Sequence, residues 1–128
     1  MYKRQEREQL DFTNRHSIFT TLLKLQKILK EKYFVETEED DDQPVESNQM
    51  DGLVINNNGM FGFSSYRGVN EYKRFWAIGS GREYALGAMF ACYDQDMTSR
   101  EIAEQGVFAG CEFDECCRVP IKCETLDC

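Results

Sequence analysis

The chain reads as an α+β fold: one helix, three antiparallel strands, two helices and a last strand, in that order. Three observations predict it. An amphipathic helical stretch comes early, apolar runs punctuated by Asn-Gly follow it, and two stretches of helical spacing lead to a final apolar run. At 128 residues the chain suits one domain better than two.

Residues 17–34 (SIFTTLLKLQKILKEKYF) set Ile18, Leu22, Leu25 and Leu29 on one stripe, with Lys24, Lys27 and Lys30 mostly off it. Ser17 is the N-cap candidate, since a hydroxyl there accepts a first-turn N–H. Further on, DGLVINNNGMFGF reads as strand, turn and strand, with Asn58-Gly59 suited to positive φ. Residues 74–78 (RFWAI) read as the third strand. Residues 83–93 place Tyr84, Ala88 and Ala91 at helical spacing, while Ala85, Gly87 and Ala91 keep the surface small for a close neighbour. Thr98-Ser-Arg-Glu101 is a capping box that opens a helix to about Phe113, with Ile102, Gly106, Ala109 and Phe113 along one side. Residues 119–126 (VPIKCETL) read as the closing strand, Pro120 favouring its start or an edge. No repeat of solenoid period occurs.

Charge narrows the function classes. Of the 23 acids, eight (Glu36, Glu38, Glu39, Asp40, Asp41, Asp42, Glu46 and Asp51) fall within residues 35–51, which hold no base. The rest of the chain is balanced, fifteen acids against fifteen bases. Nucleic acid needs a basic face and is excluded as a partner on this basis. Residues 35–51 read as a solvated acidic loop; calcium is disfavoured because Asp40-Asp41-Asp42 lacks the alternating ligands and central Gly of a calcium loop. No apolar run reaches the ~18 residues of a membrane helix.

The six cysteines are Cys92, Cys111, Cys116, Cys117, Cys123 and Cys128. With no apolar signal segment, reduced thiols in a cytoplasmic protein are expected. Zinc prefers paired C-x-x-C spacings, whereas here Cys111-x4-Cys116-Cys117-x5-Cys123 is irregular and the one His, His16, is remote.

Residues 1–5 (MYKRQ) stand apart from the rest. The codons TAT AAG AGA CAG spell Tyr-Lys-Arg-Gln and match a transposon end used to prepare sequencing libraries, so these residues are expected to be adapter-derived, with the gene continuing upstream. The organisation expected is then adapter at 1–5, a remnant and amphipathic helix at 6–34, the acidic loop at 35–51, and the C-terminal part of one domain at 52–128.

FWAIGSGREYALG raises the question of a phosphate cradle, because a strand, a glycine turn and a helix N-terminus aim N–H groups and the helix dipole together. The motifs fail. The third glycine of G-x-G-x-x-G is replaced by Tyr84, no Walker loop is present, and Glu83 in the first turn would repel a phosphate. In its plainest reading the turn only joins a strand to a helix, with Ser80 as N-cap.

FWAIGSGREYALGAMFACY, then SREIAE, then Phe113 followed at fixed spacing by Pro120-Ile121 and Glu124-Thr125-Leu126, resemble the C-terminal half of proteasome-type N-terminal-nucleophile hydrolases. The nearest resemblance is to the bacterial HslV peptidase and its phage-encoded relatives, from about Ser17 to Leu126. It implies the C-terminal half of a four-layer αββα sandwich. In that family an N-terminal Thr hydroxyl attacks the peptide carbonyl, with its own amine as base. That Thr and its early Lys and Asp partners have no counterpart here.

The resemblance implies a supporting role for Ser80, within the turn made by Gly79 and Gly81, near the nucleophile's amine. Asp114 and Cys117 match an Asp and a Ser that back the site in proteasomes; HslV differs at both, and a Cys at 117 is a weaker hydrogen-bond partner than Ser. Asp114 also reads simply as a solvated helix end. Backbone carbonyls of Cys111, Asp114 and Cys117 correspond to a monovalent-cation site in the HslV group; no other cofactor is implied. Partners implied are sibling subunits in a homo-oligomeric ring, an ATP-dependent unfoldase, and protein or peptide substrates. The leading expectation is thus a truncated threonine-type endopeptidase subunit, inactive as given. The alternatives are a non-catalytic structural or interaction subunit of a ring, and a small Cys-rich metal module.

Overall fold

Residues 10–33, 51–64 and 68–127 are described by the structure, a computed structural model. Residues 1–9 and 34–50 lie outside them, and with them the adapter segment and all of the acidic loop but Asp51. The architecture is α+β: α1 (Arg15–Tyr33), β1 (Gly52–Asn56), β2 (Gly59–Phe63), β3 (Val69–Tyr72), α2 (Arg82–Cys92) and α3 (Ser99–Phe113). No helix among the described residues is long and apolar enough to cross a membrane. Two compact units divide the chain after Lys73.

In the first unit the three strands form one antiparallel sheet in the order β1-β2-β3. Ile18 of α1 is completely buried with Phe61 of β2 and Val69 of β3, and Leu22, Val54 and Phe63 pack around them. Thr21 joins this buried face at almost no polar cost, because its hydroxyl donates to the Asp11 carbonyl (2.7 Å) and accepts the Asp11 N–H (3.0 Å). The start of α1 corrects the expected cap. Asn14, not Ser17, holds the first turn, its Oδ1 accepting the N–H groups of His16 (2.9 Å) and Ser17 (3.0 Å), while Ser17 Oγ accepts the Asn14 N–H (2.9 Å). The helix therefore begins three residues earlier than a Ser17 cap implies. The hairpin is also shifted by one: Asn57-Asn58 form the loop, and Gly59, at φ 149°, pairs with Asn56 as the first residue of β2.

The third strand falls elsewhere than expected. Val69–Tyr72 pairs with β2, whereas residues 74–78 are irregular. Three of their side chains pack within the second unit instead. Arg74 lies over the Tyr93 ring (4.3 Å) and reaches Asp94 (3.8 Å), Phe75 packs on Tyr93 (5.4 Å), and Ala77 packs against the buried cluster of that unit. An apolar run has strand propensity, but a strand requires a ladder partner, and none is present for this run among the described residues. For the same reason residues 119–126 do not form the expected closing strand.

The second unit is built on the α2–α3 pair. Its buried apolar cluster is Ala85 and Met89 from α2 and Ile102 from α3. This corrects the expected face of α2 by one residue: Tyr84 is exposed, and Gly87 has open space around it. The close approach comes from α3. A Cβ on Gly106 would stand 2.8 Å from Met89 Cγ and 3.2 Å from the Ala85 carbonyl. Gly110, one turn later, is buried, while Phe113 turns outward and stacks on Tyr84 (5.5 Å). Thr98 caps α3 through the full capping box with Glu101.

Candidate functional site

The turn between residue 78 and α2 needs its two glycines for different reasons. Gly79 has φ 101°, a backbone conformation that L side chains rarely adopt. Gly81 is needed for space, since a Cβ there would lie 3.0 Å from Cys117 Sγ and 3.2 Å from Gly110 Cα. Gly81, not Ser80, is the N-cap of α2, and no side chain caps it. Ser80 is free for another task. Its hydroxyl donates to Asp114 Oδ1 at 3.1 Å.

Asp114 is the C-cap of α3, where its own N–H bonds to the Gly110 carbonyl (2.9 Å). Its carboxylate is fixed from the other side by the Cys116 N–H, 2.7 Å from the same Oδ1, and its carbonyl accepts the Cys117 N–H at 3.2 Å. Thus Ser80, Gly81, Gly110, Asp114 and Cys117 meet where the start of α2 abuts the end of α3. Cys117 contributes packing against Gly81 rather than a hydrogen bond from its thiol. Beside them runs a groove of about 390 Å³, lined by Trp76, Ile78, Ser80, Met89, Val107 and Cys117.

Sequence reasoning missed Gly110. The signal was available, since Gly106 and Gly110 lie four apart on one helix, the spacing that keeps one face small. It also missed Trp76, whose place beside the turn depends on residues 74–78 not pairing as a strand.

Chemically, a serine hydroxyl has one proton to donate and two lone pairs. With the proton directed to Asp114, the oxygen of Ser80 is left as an acceptor. The pair can therefore receive an N–H or O–H from a group brought to the turn, with the Asp114 carboxylate behind it. Among the described residues no three His, Cys, Asp or Glu side chains converge in a way that could hold a metal ion.

Among the solved structures that resemble the chain, two are of one protein. Thiobacillus denitrificans BPH superposes with a TM-score of 0.77 at 35% sequence identity, over 86% of this chain and 57% of that one. The same BPH in complex with epoxomicin gives a TM-score of 0.76 at 36% identity, with the same coverage of both chains. The likeness is to part of a proteasome-like fold. The chain spans 57% of the length of these proteasome-like structures. No protein-family model matches it, and no curated protein matches it.

Proposed function

We propose that this chain is the C-terminal part of an HslV- or proteasome-like threonine-type peptidase, one half of a four-layer αββα sandwich, inactive until a segment outside it supplies an N-terminal Thr. One observation carries the proposal: the likeness at 35–36% identity to BPH, which has been solved with epoxomicin, an inhibitor of proteasomes. The Ser80–Asp114 pair supports it. An N-terminal nucleophile uses its own amine as base, so the amine must be held with its lone pair toward the hydroxyl. A hydroxyl oxygen that accepts one N–H of that amine, and is itself oriented by a carboxylate, does this. Ser80 and Asp114 are on this reading positioning residues.

A monovalent cation on the carbonyls of Cys111, Asp114 and Cys117 belongs to the same proposal. The Asp114 carbonyl spends one lone pair on the Cys117 N–H and keeps a second for a cation. The cation would hold the end of α3 in place; the chain's own bonds to Asp114 do the positioning described above. Sibling subunits in a homo-oligomeric ring, an ATP-dependent unfoldase and peptide substrates are the partners proposed.

The test starts with an independent long read across the codon for Met1, followed by expression of the extended polypeptide. The expected product hydrolyses fluorogenic peptides and is blocked by epoxomicin, while the 128-residue chain alone has no activity. In the extended protein Ser80→Ala should lower kcat by about 100-fold, the usual cost of a misplaced reacting group. Asp114→Asn keeps the oxygen acceptor and should lose less. An upstream half without a processable Thr would replace the peptidase reading with the structural ring subunit.

A further inference from the structure

The turn that fixes Asp114 is made by two adjacent cysteines. Cys116 is exposed and Cys117 half-buried, and both thiols are free. Their backbone N–H groups are the two backbone donors to Asp114, at 2.7 Å to Oδ1 and 3.2 Å to the carbonyl. The same Oδ1 accepts the Ser80 hydroxyl. Cys117 Sγ also rests against Gly81, in the turn that carries Ser80. The thiol pair is thus connected to Ser80 by two routes, one through Asp114 and one through Gly81.

We propose that Cys116 and Cys117 are a vicinal dithiol oxidised reversibly by low-molecular-weight disulfides, and that closing their bond releases Asp114 from Ser80. The exposed Cys116, as thiolate, attacks one sulfur of the small disulfide, giving a mixed disulfide and one small thiolate. Cys117, as thiolate, then attacks Cys116 Sγ and expels the second. The protein pair loses two electrons and two protons; the small disulfide takes up both and leaves as two thiols.

Neighbouring Cα atoms are about 3.8 Å apart, below the ~4.4–6.8 Å usual for a disulfide. Closure therefore requires movement of the backbone at residues 116 and 117, where the donors to Asp114 lie. Closure also withdraws Cys117 Sγ from Gly81. A bond strained in this way is readily reduced, which suits a reversible modification rather than a structural link. The inference rests on the turn alone and stands or falls apart from the peptidase proposal.

The full chain is incubated with oxidised glutathione, alkylated and digested with trypsin, which releases residues 101–118 with Cys111, Cys116 and Cys117 together. The expected peptide is lighter by two hydrogens in the wild type and in Cys111→Ser, regains them with dithiothreitol, and is not bridged in Cys116→Ser. Because Cys116 is exposed, its serine variant should keep the fold, which circular dichroism checks. On oxidation, amide exchange over residues 114–117 should quicken by about three- to tenfold, as expected for loss of a hydrogen bond. Failure to form the bridge, a bridge that persists in Cys116→Ser, or bridging with unchanged exchange would each overturn the proposal.

Discussion

Thr98 and Glu101 stabilise the start of α3 together. The Thr98 hydroxyl accepts the Glu101 N–H (3.3 Å), and Glu101 Oε2 accepts from both the Thr98 N–H and its hydroxyl (each 2.8 Å). Replacing Thr98 by Ala should cost ~1 kcal/mol, the usual value of an N-cap, read as a lower urea midpoint. The bonds from the Thr98 backbone and then its side chain also hold the Glu101 carboxyl below the ordinary glutamate range. A depressed carboxyl stabilises the folded state above its unfolded pKa, and that contribution is lost as pH falls through the folded value. Stability of the second unit should therefore decline on acidification below the ordinary glutamate range. Glu101→Gln should remove this part of the slope, while a slope unchanged in Glu101→Gln would assign it to other carboxylates. Trp76, the one tryptophan, lies in this unit and reports its unfolding by fluorescence.

Two glycines of the helix pair separate packing from propensity. Gly87 on α2 is exposed, and a Cβ added there would have nothing within 4 Å, so Gly87→Ala should stabilise by ~0.5–1 kcal/mol through helix propensity alone. Gly106 on α3 gains the same propensity but meets Met89 and the Ala85 carbonyl, and Gly106→Ala should destabilise by ~1–3 kcal/mol because a packed interface resists an added methyl. Urea titrations of the two variants should shift in opposite directions from the wild type. A shift of the same sign in both would mean that the α2–α3 contact yields more readily than its geometry implies. The hairpin teaches the same distinction: Asn-Asn-Gly announced a turn, and only the pairing of Asn56 with Gly59 decided which two residues occupy it.

At the scale of the whole molecule, the described residues bury little apolar surface. Each unit's core contains three buried apolar residues among those described: Ile18, Phe61 and Val69 in one, Ala85, Met89 and Ile102 in the other. Large apolar side chains remain exposed, among them Phe90 at 70%, Phe113 at 66% and Ile55 at 56%. Small cores with open apolar faces associate. Expressed alone, the chain should sediment as oligomers or aggregates, and a sharply melting monomer in ultracentrifugation and calorimetry would contradict a missing complement to the fold.

The sequence by itself determined the α+β class, the three helices to within a few residues, the hairpin and the capping box at Thr98. These are local features, set by apolar periodicity, by Asn and Gly in turns, and by a hydroxyl and a carboxylate three residues apart. The Ile-Gly-Ser-Gly block likewise made Ser80 a candidate before its surroundings were known. Tertiary structure decided what depends on partners distant in the chain. It chose Val69–Tyr72 over residues 74–78 as the third strand, because a ladder requires a neighbour. It turned α2 by one residue, because Met89 fits the space over Gly106. It brought Ser80 to Asp114, 34 residues later, because Gly81 lets the two backbones approach where a Cβ would stand 3.0 Å from Cys117 Sγ and 3.2 Å from Gly110 Cα.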